Sequence, residues 1–482
     1  MPQVSPALAE AHRLIRQNRP SDALDKLAEE IKVAPCFGPA HSLELEILFA
    51  QGQDARAERA FDRALRLPAR SADAFDALGF YARRLDRHEL SNSLYRQAVD
   101  LAPADPDLLY NLATSERSLG QLREAAHACD RALKLSPDLL PALLLRSELA
   151  RATNERNHVA ELEAKLSSDR TDRCQMFVGY ALGKELQDLG RYDAAFAAFD
   201  RAAAARRRNL TYDVAQDERK LRRIEEVFKG PCPTAAAPSE RGHIFIIGLP
   251  RSGTTLMERI LGALPNVRSN GETNNFAAAL LDCAPKTPDD VFQRCSQASP
   301  AKVAAAYDRR ATRAGSDRRI IEKLPQNYLY VGAIAAAFSD ASIIWVRRNS
   351  VDNCFAMFRT LFGEGYPFSY TFEELARYVS AYERLMDHWN TILPGRLIEV
   401  QYEELVAAPL AIVKRVAERC GLAWSNDALD LTRNRSASLT ASAPQVRGSI
   451  YTTSSGLWRK YLPHLDPLLE ELRKAGVSLP AS

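Results

Sequence analysis

The 482-residue sequence lacks the features that mark several classes of protein. No apolar stretch reaches the roughly 18 to 20 residues that a membrane-spanning helix requires. The beginning, MPQVSPALAEAHRLIRQ, is amphipathic and has no apolar core of the kind that signal peptides contain. The net charge of +3 indicates neither a disordered chain nor a polyanion-binding protein. We therefore expect a protein that binds neither membranes nor nucleic acid.

Cysteine pairs are also missing from the sequence. The eight cysteines are scattered and form no C-x-x-C motif, so the sequence indicates neither a zinc site nor a disulfide framework. We interpret them as reduced, mostly buried thiols. This pattern predicts a cytoplasmic protein without a bound metal.

The first half of the chain is poor in β-branched residues and rich in alanine, leucine, arginine and aspartate, which favours helix. The phrases RAFDRALRLP, SLYRQAVDLAP and HACDRALKLSP each end at a proline, and Pro103 and Pro137 are 34 residues apart. Another copy, GRYDAAFAAFDRA, follows Gly183, where a small residue allows two helices to approach closely. This pattern resembles tetratricopeptide repeats, whose unit is a helical hairpin of that length.

About six such hairpins are predicted, and the fifth is degenerate. They lie near residues 4–37, 38–71, 72–105, 106–139, 140–173 and 176–209. The resemblance implies an all-α solenoid over residues 1–230 whose concave face receives a protein or peptide partner, with a purely structural bundle as the alternative. The basic run 206–208 is interpreted as a solvated face because no aromatic residues are interleaved with it. The stretch 231–240, rich in proline and alanine, predicts a linker to a second domain over residues 241–482.

The strongest local motif is HIFIIGLPRSGTTLMERILGAL at 243–264. A buried strand is predicted up to Gly248, followed by an irregular turn and by a helix that begins at Thr254. Because the first N–H groups of a helix are unpaired and its dipole is positive there, this turn favours an anion. The residues that can hold it are Arg251, Ser252, Gly253, Thr254 and Thr255. A phosphate-binding loop is therefore predicted, with a tight turn that binds nothing as the alternative.

Two parts of a nucleoside triphosphatase are absent from this region. Thr254 stands where a Walker A loop has lysine, and the strand Ser342–Val346 carries no acidic residue for magnesium. The run PRSGTTL after an apolar strand instead resembles the 5′-phosphosulfate loop of sulfotransferases, in particular the tyrosylprotein sulfotransferase group and its bacterial relatives. The resemblance implies a P-loop-like α/β domain with a central parallel sheet. It also implies 3′-phosphoadenosine 5′-phosphosulfate (PAPS) as the sulfate donor, without a metal.

Two candidate catalytic residues follow the loop. Glu272 lies on an Asn-Gly turn, and the pair Glu272-Thr273 resembles the family's Glu-Thr-Arg motif, whose glutamate is the general base; Asn274 replaces the arginine. Lys323 ends the apolar run RIIEK and should face the crevice at the carboxyl edge of the sheet. The resemblance gives this lysine the role of stabilising the sulfuryl group and the leaving phosphate. The alternatives are a solvent-facing glutamate and a surface lysine.

Candidates for nucleotide binding come from three later segments. Arg348 matches the arginine of the family's 3′-phosphate motif, but Ala356 replaces its serine, and Ser350 could supply a substitute hydroxyl. Tyr402 matches a tyrosine that contacts the nucleotide, unless it is only a core residue. The segment from Gln445 to Tyr461 resembles the one that closes the family's pocket. It contains Arg447 and Lys460 as candidate contacts and Ser455 as a candidate for the reactive-site serine, although an ungapped match falls on Gly456.

The sequence therefore predicts a tetratricopeptide solenoid followed by a sulfotransferase domain. The predicted reaction transfers a sulfuryl group from PAPS to an acceptor hydroxyl, and one candidate acceptor is a tyrosine of a protein or peptide recruited by the repeats. Carbohydrate, lipid and small-molecule acceptors stay open. An interaction scaffold with a decayed transferase domain, suggested by Ala356, and a P-loop kinase or nucleoside triphosphatase are the alternatives.

Overall fold

A computed structural model of the chain describes residues 5–34, 36–230, 242–311, 319–431 and 455–479. The chain divides into two compact units, Met1–Leu149 and Ala150–Ser482. The linker 231–240 lies outside the described residues, so the division into residues 1–230 and 241–482 stays a prediction.

The first unit is built of helical hairpins. Its helices are α1 (Pro6–Arg16), α2 (Pro20–Val33), α3 (Pro39–Ala50), α4 (Asp54–Leu65), α5 (Ala72–Arg84), α6 (His88–Leu101), α7 (Pro106–Leu119), α8 (Leu122–Leu135) and α9 (Leu140–Leu149). The pairs α1/α2, α3/α4, α5/α6 and α7/α8 fall within the first four predicted hairpins. Leu24, Leu48 and Phe61, which come from three successive helices, are buried in one apolar cluster. Neighbouring hairpins therefore share a core, as a repeat array requires.

The second unit begins with four more helices. They are α10 (Val159–Ser168), α11 (Asp172–Asp188), α12 (Tyr192–Arg208) and α13 (Val214–Val227). The hairpin α11/α12 corresponds to the predicted copy at 176–209. A β-carbon at Gly183 would lie 2.6 Å from the ring of Phe199, so the expected close approach of the two helices is confirmed.

A five-stranded sheet forms the centre of the second unit. Its strands are β1 (His243–Ile247), β2 (Val267–Ser269), β3 (Arg319–Lys323), β4 (Ser342–Arg347) and β5 (Leu397–Gln401), in the order β2-β3-β1-β4-β5, and all four pairings are parallel. Every residue of β1 is buried, which explains its continuous apolar sequence. The chain passes from β3 to β4 across β1, so the loops that leave β1 and β4 meet at the carboxyl edge. This is the place where open parallel sheets bind ligands.

Helices connect the strands. They are α14 (Thr254–Leu261), α15 (Asn275–Cys283), α16 (Val291–Ser296), α17 (Pro300–Ala311), α18 (Val331–Ala337), α19 (Ser350–Phe358), α20 (Phe372–Ile392), α21 (Tyr402–Ala407), α22 (Pro409–Arg419) and α23 (Leu462–Lys474), with short 3₁₀ turns at Pro325–Tyr330, Pro367–Tyr370, Asn426–Leu429 and Leu457–Tyr461. In the described part of the chain, no helix is both long enough and apolar enough to span a membrane.

Helices α11 to α13 pack against the sheet region within this unit. Arg207 donates two hydrogen bonds of 2.8 Å to the carboxylate of Glu374. Arg377 of α20 makes an equivalent pair of bonds, 2.9 and 2.7 Å long, to Glu218 of α13. The interpretation of the basic run 206–208 as a solvated face is therefore wrong for Arg207, because its partner comes from a helix distant in sequence.

Candidate donor and transfer site

The predicted phosphate-binding loop connects β1 to α14. In the described part of the chain, no side chain caps the N-terminus of α14, and the preceding Gly253 has a left-handed φ of +106°. A β-carbon on Gly253 would lie 2.4 Å from the ring of Tyr402, so only glycine fits there. The N–H groups of the first turn are therefore left for a ligand or water.

The loop also contains a buried hydroxyl. Ser252 is 1% exposed, and its Oγ has no hydrogen-bond partner among the described residues. Thr254 and Thr255 are buried in the first turn of α14 beside it. A buried hydroxyl without a partner is costly unless a ligand or water satisfies it. Together with the uncapped helix, this hydroxyl makes the loop fit an anionic group.

Lys323 lies at the carboxyl end of β3, the strand next to β1. Its side chain has no exposed surface, and its Nζ is 2.5 Å from Oε1 of Glu272 and 3.4 Å from Oε2 of Glu258. The structure therefore brings together Glu272 and Lys323, two of the predicted catalytic residues, with Glu258 of α14 as a second carboxylate. The N–H of Gly248, where the loop begins, donates to the carbonyl of Pro325 at 3.3 Å, which ties the loop to the segment after Lys323.

Arg348, directly after β4, lies on the other side of the loop. Its Nη1 donates to the carbonyl of Arg251 at 2.9 Å, while Nε and Nη2 donate to Oδ2 of Asp352 at 3.1 and 2.9 Å. Its guanidinium carbon is 4.7 Å from the centroid of the Tyr402 ring. The same Asp352 oxygen accepts the N–H of Gly456 at 3.0 Å, so this carboxylate connects Arg348 to the C-terminal segment.

Other predicted residues are placed differently. The Ser350 hydroxyl donates to Glu383 at 3.1 Å, and Lys460 is exposed. Ser455 is half-buried and precedes Gly456 in the chain. Arg447 lies outside the described residues. No described contact joins Ser350 or Lys460 to the loop residues, so their predicted roles stay predictions.

Sequence reasoning missed three acidic residues of this region. Glu258 and Asp352 lie on helices, where a carboxylate is usually a surface feature, although the i,i+4 spacing of Arg348 and Asp352 is a signal that was available. Glu322 is fully buried in β3, and burial raises its pKa to about 7. A charged residue inside the apolar run RIIEK was the corresponding signal.

The loop between α19 and α20 carries a tyrosine that feels the charge of the candidate base. Burial and then the charge of Glu272 raise the pKa of Tyr366. The backbone of Tyr366 has a left-handed φ of +55°, and its ring contacts that of Phe362 edge-on at 4.9 Å between centroids. Phe362 and Tyr366 therefore form an aromatic pair on this loop, and the Glu272 charge acts on Tyr366.

Two family models match the chain. Residues 243–426 match the model of the sulfotransferase family, and residues 106–139 and 180–209 match the tetratricopeptide repeat. The C-terminal half contains a sulfotransferase-family domain. The predicted family, the predicted repeats and the predicted fold class are confirmed.

Relatives of this sulfotransferase-domain protein were found among curated proteins and solved structures. An "Uncharacterized protein" of Aquifex aeolicus is 29% identical over 79% of this chain, and the chain spans only 52% of that relative's length. A Caenorhabditis briggsae protein named "Putative protein-tyrosine sulfotransferase" is 27% identical over 45% of the chain and 80% of its own length. The sulfotransferase domain of the Synechococcus PCC 7002 olefin synthase is 21% identical, with a TM-score of 0.36 over 52% of this chain and 99% of its own.

Proposed function

We propose that this protein transfers a sulfuryl group from PAPS to an acceptor hydroxyl. The observation that carries the proposal is the buried Lys323, paired with Glu272 at 2.5 Å on the strand beside an anion-binding loop. A base and a fixed positive charge at one end of the sheet are what an in-line transfer between oxygens requires.

The donor would be held by residues of the loop and by Arg348. The uncapped N–H groups of α14 and the Ser252 hydroxyl suit the 5′ end, because both are donors without a protein hydrogen-bond acceptor among the described residues. Arg348 would serve the 3′-phosphate and Tyr402 the nucleotide. When bound, PAPS supplies the sulfuryl group, which leaves the 5′-phosphate oxygen and joins the acceptor oxygen while the hydroxyl proton passes to a base.

Glu272 would be that base. Its side chain is 33% exposed, whereas that of Lys323 is fully buried, so an acceptor can reach the carboxylate but not the ammonium from solvent. A buried ammonium requires anionic partners. When PAPS binds, Lys323 could pair with an anionic oxygen of PAPS instead of with the Glu272 carboxylate. Glu272 would then be free to take the proton of the acceptor hydroxyl, and the ammonium would stay where negative charge develops.

A tyrosine of a protein or peptide is the acceptor class that we propose. The Glu272 charge acts on Tyr366, whose ring pairs with that of Phe362, and aromatic rings favour edge-on and offset contacts with a phenol ring. The Caenorhabditis briggsae relative carries the name of a protein-tyrosine sulfotransferase. The tetratricopeptide repeats would recruit the acceptor protein.

Calorimetric titration with 3′,5′-adenosine bisphosphate, the desulfated donor, tests donor binding. The two adjacent arginines provide a matched pair, because Arg348 lies by the loop while Arg347 pairs with Glu399 at the surface. We expect micromolar binding that is lost in Arg348→Ala and kept in Arg347→Ala. Failure of the wild type to bind the bisphosphate would indicate an interaction scaffold with a decayed transferase domain. Preferential binding of magnesium ATP would refute PAPS as the donor.

Transfer itself is tested with ³⁵S-labelled PAPS and tyrosine-containing peptides. Glu272→Gln should lower the transfer rate by roughly 10²- to 10⁴-fold and leave bisphosphate binding intact, because the change removes the general base. Replacement of each peptide's tyrosine by phenylalanine is the control for the acceptor atom. Label on the phenylalanine peptide would refute a phenolic acceptor.

A further inference from the structure

The steps proposed above leave one buried carboxylate next to the transfer site unexplained. Glu322 is the residue before Lys323 in β3, and it has no exposed surface. Because successive side chains of a strand point to opposite faces of a sheet, Glu322 faces away from Lys323. Burying a carboxylate is expensive unless several donors satisfy it, so its presence needs an explanation.

Three donors converge on the Glu322 carboxylate. They are the Thr273 hydroxyl at 3.2 Å, the backbone N–H of Phe276 at 3.4 Å and the side-chain amide of Asn327 at 3.0 Å. The titratable side chain facing it from α17 is Tyr307, whose pKa is raised by burial and then by the Glu322 charge. A carboxylate can accept three or four hydrogen bonds at once, whereas a glutamine accepts only at its single oxygen.

Two of these donors belong to the segment that carries the candidate base. Thr273 is the neighbour of Glu272, and Phe276 lies in the first turn of α15. The two adjacent side chains bind opposite faces of one strand end: Glu272 reaches Lys323 and Thr273 reaches Glu322. The backbone of the same segment is joined to β3 through the bond from Lys323 N–H to the carbonyl of Gly271 at 3.0 Å.

We propose that Glu322 is a positioning residue that holds the Glu272 carboxylate in place through Thr273 and the start of α15. The inference rests on the proposed function, since it assigns Glu322 a part in the same reaction. Without the Thr273 bond, the backbone next to Glu272 has its nearest attachments to β3 at Gly271 on one side and, through the long bond, at Phe276 on the other. Among the described residues, the Glu272 side chain is then attached to β3 only through Lys323. Glu272 would then sample more positions relative to the acceptor proton, and misplacement of a catalytic group by about 1 Å can cost roughly 100-fold in rate.

Thr273 offers a matched pair of substitutions that leaves the buried carboxylate in place. Thr273→Val keeps the shape of the side chain and removes the hydroxyl, while Thr273→Ser keeps the hydroxyl. With labelled PAPS and a tyrosine peptide, we expect Thr273→Val to lower kcat by roughly 10- to 100-fold and Thr273→Ser to stay near wild type. The Kd for 3′,5′-adenosine bisphosphate should be unchanged in both variants, because Thr273 has no part in donor binding.

A double-mutant cycle separates positioning from general damage to the fold. If Thr273 acts through Glu272, Thr273→Val should have no further effect on the residual rate of Glu272→Gln. An equal loss in both backgrounds would overturn the proposal.

Hydrogen–deuterium exchange tests the same anchor without turnover. The amides of residues 271–278 should exchange faster in Thr273→Val and in Glu322→Gln than in the wild type or Thr273→Ser. Unchanged exchange in both variants would refute the anchoring even if kcat falls. If the wild type transfers no sulfuryl group although these exchange differences are present, the proposed function is refuted. The structural part of the inference, that Glu322 and Thr273 hold residues 271–278 in place, would then still stand.

Discussion

The buried Glu322 makes a specific prediction about how stability depends on pH. Burial raises its pKa from an ordinary value of 4.5 to about 7, so the folded protein binds this proton more tightly than the unfolded chain does. The contribution of Glu322 to the free energy of unfolding is therefore fully present below about pH 4.5 and is lost as the pH rises through 7. Because each tenfold change in an ionisation constant is worth about 1.4 kcal/mol, the loss amounts to about 3 kcal/mol.

Glu322→Gln removes this titration. The glutamine changes the hydrogen bonds at this site by an amount that does not depend on pH. The wild type, in contrast, bears the cost of a buried charge only at a pH where the Glu322 carboxyl is ionised, and the glutamine variant does not bear it at any pH. The free energy of unfolding of Glu322→Gln, relative to the wild type, should therefore increase by about 3 kcal/mol between pH 4.5 and pH 8.

Urea unfolding followed by tryptophan fluorescence measures this free-energy difference in the compact unit that contains Glu322. All four tryptophans of the chain lie in the second compact unit, which also contains Glu322. Glu470→Gln, which alters an exposed carboxylate of α23, is the control and should leave the wild-type pH profile unchanged. A difference between Glu322→Gln and the wild type that stays constant from pH 4.5 to 8 would refute the buried-charge reasoning.

Three further predictions concern the loop, the donor site and the unit boundary. Gly253→Ala should abolish calorimetric binding of 3′,5′-adenosine bisphosphate, because the new methyl group overlaps the Tyr402 ring; binding at wild-type affinity would contradict the loop geometry. Ala356→Ser adds a hydroxyl one helical turn beyond Asp352 and should tighten bisphosphate binding about tenfold, the effect of one hydrogen bond to a charged group; unchanged affinity would place position 356 outside the donor site. A fragment of residues 150–482 should unfold cooperatively in circular dichroism, and one of residues 242–482 should not; equal stability would refute the role of α11 to α13.

The fold was largely predictable where sequence patterns are local. Strand β3 covers the predicted run RIIEK, and β4 begins at the predicted Ser342 and ends one residue after Val346, because short apolar runs next to polar residues mark buried parallel strands. Strand β2 was missed: it has three residues, and only Val267 is buried, so it exists through backbone pairing with β3 rather than through an apolar pattern. The hairpins were predictable because proline and small residues recur at a fixed period.

The candidate site was predictable only in part. Glu272 and Lys323 were found as motif residues, and their 2.5 Å contact agrees with a shared role. The i,i+4 spacing from Arg348 and the charge inside RIIEK were signals for Asp352 and Glu322, but the partners of Glu258 and Glu322 come from separate elements and are determined by packing rather than by spacing.

The contacts of α11 to α13 with the sheet region have a consequence for how the repeats can serve catalysis. Arg206 of α12 donates to the carbonyl of Gly363 at 2.6 Å, in the loop that three residues later carries Tyr366. Tyr180 of α11 donates to the carbonyl of Phe358 at 3.0 Å, where helix α19 ends and that loop begins. Two helices of the last repeat therefore hold the segment that carries Tyr366. If the proposed function holds, we expect a fragment that lacks the last hairpin to lose sulfuryl transfer, because this loop then loses both hydrogen bonds.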